Sequence, residues 1–584
     1  MDNAPMYNYK SDYWLGWLDS EESMKCYTAD FETTTDVEDC RVWAWCTCDI
    51  DNIDILDYGN DIQSFIEWCE SHSNAKVYFH NLGFDGAFLM DWLLNHEWQW
   101  TDEQPVWHTF KTLISDMNQV YAIELYFSRK RYVKIYDSLK IIPLGIARIA
   151  KTYGLEEGKG ELDYSKYREV GHILDDEECD YIRRDVQIAA YALKKHFDEG
   201  LTKITAGSNA LYDYKKMVGG SKEFRKMFPL LDYGEDIFIR AAYRGGWTYC
   251  DPRRMGMIVM GGIVYDANSM YPSVMASCDG ELMPYGKPMW FDGTPPQRHG
   301  RPLWIASVTC IFKIKPDHLP TVQIKGNLRF IPTRYIKDSD GYVTLTVTNI
   351  DWELMWEQYD IEYYHFNGGY DFKASDKLFV DYVNKWTEVK VRAGKEGNKG
   401  LRQEAKLQLN SLYGKFATRT KVKSRKPILR DNVLRFVDLP EEEREPVYLP
   451  VGVFITSYAR AKIIRAAQKE YDRFLYSDTD SLHFIGTEPL DYLDIDSQEL
   501  GKWKHESTFT RAKYLGPKCY AEEIDGELIV HVSGLPARCH QHVTLENFEI
   551  GAKYKGKLYT KRVEGGIVLV EGDMEIRERT SNED

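Results

Sequence analysis

Two pairs of carboxylates, each pair two residues apart within an apolar and aromatic run, constrain this chain more than any other feature. The stretch YTADFETTT carries Asp30 and Glu32, and the stretch RFLYSDTDSLHFIG, residues 473 to 486, carries Asp478 and Asp480. Side chains two apart on an extended strand share a face, so the members of each pair are expected side by side. Like charges held close raise each other's pKa, and such a pair is unfavourable unless a cation or hydrogen-bond donors compensate it. For the second pair a solvated hairpin turn is also open, because Asp, Thr and Ser are common turn residues.

The first pair has companions. The stretch YFHNLGFDGAF adds Asn81 and Asp85, and DDEECDYIRRDVQIAAYALKKHFDEG reads as a helix with Gly200 just past its end. That helix holds Tyr181 and Asp185 four residues apart, where side chains meet. Each residue alone has an ordinary reading: Asp85 serves a turn before Gly86, and Tyr181 with Asp185 is a surface pair. Together they offer four acids and one tyrosine in the order D-x-E, N-x-x-x-D, Y-x-x-x-D. Hard divalent cations prefer such oxygen ligands, and two of them suit phosphodiester chemistry.

The second pair has companions too. In GIVYDANSMYPSVM, Asp266 stands where an apolar strand gives way to a helix-starting turn; a helix-capping aspartate is the ordinary alternative. In KLQLNSLYGKFA, Lys406, Asn410 and Tyr413 fall at spacings of four and three, along one helical stripe. A stripe of Lys, Asn and Tyr suits a ligand better than a core. The helix is read as stopping at Gly414, and strand patterns are read as resuming at 447 and running to the end.

The acid blocks resemble the proofreading 3′-5′ exonucleases of the DEDD type in their tyrosine variant. The blocks D-x-x-S-x-Y-P, K-x-x-x-N-S-x-Y-G and Y-x-D-T-D-S match motifs A, B and C of family B DNA polymerases. The resemblance covers nearly the whole chain. It implies an α/β multidomain fold: a ribonuclease-H-like exonuclease domain followed by a right-hand polymerase of palm, fingers and thumb with two palm insertions. The expected boundaries are 1–205 for the exonuclease domain with an N-terminal extension, 206–278 and 447–530 for the palm, 279–373 for the first insertion, 374–416 for the fingers, 417–446 for the second insertion and 531–584 for the thumb.

The resemblance also implies roles. At the exonuclease site Asp30, Glu32, Asp85 and Asp185 hold metal, Tyr181 orients the attacking water and Lys159 assists. Thr33, His80, Asn81, Phe84, Ser138 and Leu139, the last two beside Asp137, meet the single-stranded end. At the polymerase site Asp266 and Asp480 are the expected direct ligands of two Mg2+ ions, for which Mn2+ can substitute, with Asp478 as a supporting carboxylate. Lys390, Arg402 and Lys406 neutralise the triphosphate, while Ser269, Tyr271, Asn410 and Tyr413 shape the nucleotide pocket, Tyr271 excluding a ribose 2′-hydroxyl. Tyr243 and Gly246 in YRGGW, Gly414, and Lys518 and Tyr520 in KCY hold the template-primer. The sequence departs from the pattern at Glu161, where relatives often carry Asp, and in residues 1–25, which extend a usually short N-terminus.

Length narrows the branch. The first exonuclease acid at residue 30 leaves no room for the large N-terminal domain of relatives that start from nucleic-acid primers. Residues 266 to 406, and again 413 to 476, span more chain than one palm and fingers require. The subgroup with this layout is the protein-primed polymerase of small tailed bacteriophages. There the first insertion contacts a priming terminal protein and the second, here TKVKSRKPILRDNVLRFVDL (420 to 439), encloses the DNA. The resemblance thus implies single- and double-stranded DNA, deoxynucleotides and a terminal protein as partners of a monomer, with strand-displacing synthesis. A nucleic-acid-primed enzyme is the nearest alternative. A non-catalytic scaffold is a more distant one, opposed by the retention of seven mutually repulsive carboxylates.

Charge cuts against this reading as a whole but supports it locally. The net charge is −17, whereas phosphate binding usually leaves a basic footprint. Between residues 381 and 430, however, Lys and Arg number 14 against 4 Asp and Glu, which points to a polyanion groove. With few basic contacts in an acidic chain, activity is expected to be salt-sensitive. Eleven scattered cysteines without a C-x-x-C pair argue for reduced thiols and against structural zinc. No apolar run reaches the roughly 18 to 20 residues of a membrane span, so a soluble, intracellular protein is expected, and the resemblance to phage enzymes implies the cytoplasm of the host bacterial cell.

Overall fold

The computed structural model describes residues 24–155, 158, 160, 162–164 and 166–578. Lys159, Glu161 and the N-terminal residues 1–23 lie outside them.

The N-terminal sheet grows outward from the strand Cys26–Thr33. Val42–Asp49 pairs antiparallel on one side, and Ala75–Phe79 then Tyr132–Asp137 continue in parallel on the other. Alternation along the first strand sorts its side chains cleanly. Tyr27, Ala29 and Phe31 join an apolar cluster with Phe65, Phe79 and Phe88. Thr28, on the opposite face, donates its hydroxyl to the Val186 carbonyl of the helix Asp176–Asp198. Asp30 and Glu32 follow Thr28 at intervals of two and so face the same helix. That helix begins with a capping box, in which Asp175 and Glu178 satisfy each other's backbone N–H groups.

The far edge of this sheet comes from elsewhere in the chain. Ser424–Arg430 pairs with Thr109–Ser115, and Val433–Asp438 pairs with Ser424–Arg430. Asp431 and Asn432 join the two late strands with φ of 54° and 56°, the double left-handed turn that suits the twist of a tight hairpin. Leu434 packs into the N-terminal apolar cluster, and so do Val563, Ile567 and Val568 of the C-terminal hairpin Lys553–Val563/Gly566–Glu575. The Arg562 guanidinium lies 4.0 Å from the Phe436 ring centroid, linking the two hairpins directly.

A second sheet of seven strands, centred on Ile258–Ala267 and Ser481–Ile485, carries the other acid block. Its helical cover includes Leu449–Gln468, which corrects the expectation that strands resume at 447. Sixteen of the 20 residues of this helix are buried, so it shows no polar face and hence no 3.6-residue period to read. A four-stranded sheet, Met283–Phe291, Tyr359–Ser375, Leu303–Ile314 and Val343–Thr348, occupies the span between motifs A and B. The helices Val380–Lys395 and Lys399–Phe416 follow it; the second runs two residues past Gly414, where it was expected to stop. Among the described residues no helix is long and apolar enough to cross a membrane, and the eleven cysteines form no disulfide.

Candidate functional site

The opening aspartates do not share a strand. Asp478 ends the strand Phe474–Asp478, Ser481 begins the next, and Thr479 and Asp480 make the two-residue turn between them. Thr479 is left-handed, φ 67°, and its N–H donates to the Trp247 carbonyl at 2.9 Å. The hairpin reading was therefore right about backbone. It was wrong about solvation, because burial helps push Asp480 up to about 6.

Register then builds the site. Asp478 is paired with Thr248 on one side and Ser481 on the other, Ser481 with Asp266, and Asp266 with Lys504. These five residues form one row across the sheet. Burial, then the nearby Asp480 and Glu506, push Asp266 up to about 7 against the opposing pull of Lys504. Asp478 is compensated from within the protein: Lys518 Nζ lies 3.0 and 3.2 Å from its two oxygens, and Thr248 donates at 3.1 Å. Gly246 is required where it stands, since a Cβ there would lie 2.7 Å from Thr479 Cγ2 and 3.0 Å from the Tyr271 hydroxyl.

Above the row lies an aromatic and basic wall. The Tyr271 and Tyr413 rings are 4.4 Å apart, and the Tyr413 hydroxyl is 2.8 Å from that of Tyr243. Ser269 precedes the short helix Met270–Met275 in a left-handed conformation. On the helix Lys399–Phe416, Ala405, Leu409 and Leu412 are buried while Arg402, Lys406, Asn410 and Gly414 are exposed. Burial, Lys406 and Arg402 lower Lys390; burial, Arg402, Lys504 and Arg148 lower Lys406. These cations are near enough to repel one another, which is the electrostatic signature of a polyanion site.

In the N-terminal domain Asp85, Asp185, Glu32 and Tyr181 are buried and Asp30 is half-buried. Burial, Asp30 and Glu32 push Asp85 well above the ordinary carboxylate range. The Tyr164 hydroxyl bridges Glu32 at 3.3 Å and the Tyr181 hydroxyl at 3.1 Å. Asp137 accepts from the Asn81 and Leu139 N–H groups, both at 3.0 Å, and so fixes the left-handed Asn81 beside Phe84. His80 is held between the Ser138 hydroxyl at 2.9 Å and the Leu144 carbonyl at 2.7 Å. Thr33 is buried close by on the first strand.

Several residues escaped the sequence reading. Arg148, Lys504 and Glu506 belong to no quoted block. Arg460 donates to Asp351 at 2.7 and 2.8 Å and to the carbonyls of Arg244 and Gly245 at 2.8 and 2.9 Å, thereby tying the YRGGW loop to the helix Asn349–Gln358. Its only sequence signal is an arginine inside an apolar run. Tyr520, by contrast, packs among aromatics, 4.6 Å from the His531 ring and 4.9 Å from that of Tyr476.

The donor sets are hard oxygens, as Mg2+ or Mn2+ require. Among the described residues no three acidic, histidine or cysteine side chains are drawn into a ready ligand shell.

The fold and the two acid clusters define a DNA polymerase of the B type. The model for "DNA polymerase type B, organellar and viral" matches residues 68–175 and 166–499, and the chain belongs to that family. It is 41% identical to the DNA polymerase of Bacillus phage phi29 over 580 residues, covering 95% of this chain and 99% of that one. With the DNA polymerase of Streptococcus phage Cp-1 it shares 35% identity over 584 residues, 95% of this chain and 99% of the relative. The solved phi29 DNA polymerase bound to primer-template DNA and incoming nucleotide superposes with a TM-score of 0.90 at 40% identity, covering 95% of this chain and 100% of that one. The expected multidomain exonuclease and polymerase fold is the fold observed.

Proposed function

We propose that this polymerase starts synthesis on the hydroxyl of a terminal protein, elongates processively with strand displacement and corrects errors with a 3′-5′ exonuclease. The observation that carries this reading is the pair of hairpins, Ser424–Asp438 and Lys553–Glu575, that meet each other and the N-terminal sheet. An enclosure built from the exonuclease domain, the second insertion and the C-terminal hairpin retains the duplex during synthesis and separates the strands ahead of it. The four-stranded sheet between motifs A and B supplies the expected terminal-protein contact.

At the synthesis site Asp266 and Asp480 would hold the divalent cations, and Asp478, already paired with Lys518, supports them. Bound there, the ions would supply Lewis-acid activation of the primer hydroxyl and charge neutralisation at the phosphates. Lys390, Arg402 and Lys406 present fixed positive charge to the triphosphate before any bond changes. Tyr271, stacked on Tyr413, closes the sugar side of the pocket; Ser269 and Asn410 complete it, and Tyr243, Gly246, Gly414, Lys518 and Tyr520 hold the template-primer. In the N-terminal domain Asp30, Glu32, Asp85 and Asp185 would hold the metal ions. Tyr181 orients the attacking water with Lys159, while Thr33, His80, Asn81, Phe84, Ser138 and Leu139 seat the single-stranded end.

The test incubates the protein with its cognate terminal protein, one labelled deoxynucleotide and Mg2+ or Mn2+. A nucleotide covalently attached to the terminal protein supports protein priming; primer extension with no such adduct assigns the enzyme to nucleic-acid priming.

A further inference from the structure

Ser481 stands in the catalytic row between Asp478 and Asp266, yet neither the motif nor the mechanism gives its hydroxyl a task. Beneath it lies a buried chain of polar groups on the same sheet face. Ser481 Oγ is 3.4 Å from His483 Nε2, and His483 Nδ1 is 2.7 Å from Glu522 Oε1. The same carboxylate oxygen accepts from the Tyr514 hydroxyl at 2.6 Å, and Tyr514 is also 3.2 Å from His483 Nδ1. His483 is 2%, Glu522 3% and Tyr514 2% exposed. The Tyr476 and Tyr520 rings close the sides edge-on to the imidazole, each with its centroid 5.2 Å away.

Proton placement follows from satisfaction. A buried carboxylate needs donors, and the nitrogen facing Glu522 is Nδ1. With the proton on Nδ1, a neutral imidazole has only an acceptor at Nε2. Ser481 must then donate its one proton downward to Nε2. What remains on Ser481 Oγ is lone pairs, in the row between Asp478 and Asp266.

We propose that Glu522 and His483 are positioning residues that draw the Ser481 hydroxyl proton out of the catalytic row, so that Ser481 offers an oxygen lone pair to a divalent cation or its bound water. Without the relay, Ser481 would donate to a neighbouring aspartate and weaken that carboxylate as a cation ligand.

This inference rests on the reading of Asp266 and Asp480 as the ion-holding pair, and the experiment separates the two. Mn2+ binding to the full chain is measured by calorimetry in an Asp30→Ala/Asp85→Ala background, which silences the N-terminal site. Ser481→Ala and His483→Phe are each expected to weaken Mn2+ binding about 10-fold, the scale for losing an outer-shell partner of a metal site. The double variant should be no weaker than either single one, and Ser481→Thr should restore binding. Parent-like Mn2+ affinity in Ser481→Ala, a variant too small to disturb the fold, overturns the relay. Additive losses in the double variant overturn it as well. If Asp480→Ala in the same background leaves Mn2+ binding intact, the ion-holding reading itself fails.

Discussion

The two acid clusters solve one electrostatic problem in different ways. In the synthesis site a lysine from the protein, Lys518, sits on Asp478, and the two remaining carboxylates are raised only to about 6 and 7. In the N-terminal site the Tyr164 hydroxyl joins Glu32 to the Tyr181 hydroxyl, and the buried Asp85 is pushed well above the ordinary carboxylate range. An internal cation lets one carboxylate act as a fixed counter-ion, so the cluster is partly assembled before metal arrives. The phenol of Tyr164 donates to Glu32 without adding positive charge, whereas burial, Asp30 and Glu32 all raise Asp85.

The sharpest break of this comparison removes one carboxylate from each side. Asp480→Ala should lower DNA synthesis by about 10³-fold or more, the scale of a principal electrostatic stabiliser, while degradation of single-stranded DNA persists; Asp30→Ala should give the reverse. Loss of both activities from either change would show that the clusters are not independent. Next in size, Lys518→Met should lower synthesis by about 10- to 100-fold and raise the pH at which it reaches half-maximum, because an uncompensated Asp478 raises its neighbours. Degradation should not change, and an unshifted pH profile would deny Lys518 its electrostatic role.

Gly246→Ala comes third. The added Cβ meets Thr479 at 2.7 Å, and displacing the turn that carries Asp480 should lower synthesis by about 10-fold. A Gly246→Ala/Thr479→Gly double variant should recover part of that loss, because glycine opens the space and accepts the left-handed turn. The smallest effect concerns stability. Asp266 has a folded pKa of about 7, above its unfolded value of about 4, so the unfolded chain binds fewer protons between those limits. Its contribution to the metal-free fold is therefore lost as pH rises from about 4 to 7. Differential scanning calorimetry should show Asp266→Asn more stable than the parent by a few degrees at pH 8, with the gap closing near pH 5. Divalent cation should favour the parent only above pH 7.

The chemistry of this protein was more legible in its sequence than its architecture. Spacings of two, three and four identified Asp30 with Glu32, Tyr181 with Asp185, and Lys406 with Asn410 and Tyr413, because local periodicity decides which side chains share a face. Periodicity failed where its assumptions failed. Alternation alone puts Asp478 and Asp480 on one strand face, whereas the backbone adopts the hairpin alternative, with Asp478 ending a strand and Asp480 in the two-residue turn. Leu449–Gln468 was read as strand because a helix buried on every side has no amphipathic pattern. The pairing of Ser424–Arg430 with Thr109–Ser115 left no local mark in either segment. Glu522 and Arg460 were invisible for a related reason: a buried charge is recognised by partners far away in sequence.

The borrowed edge of the N-terminal sheet bears on how such a protein can be taken apart by evolution or by design. Cut at residue 205, the first domain would lose the pairing of Ser115 and Ile114 with Ser424 and Arg425 and uncover the apolar surface now shielded by Leu434, Val563 and Ile567. An exposed apolar surface of this kind invites association between copies. The N-terminal unit is thus not a cassette that can be moved alone to another enzyme, because apolar side chains from two later hairpins complete its core.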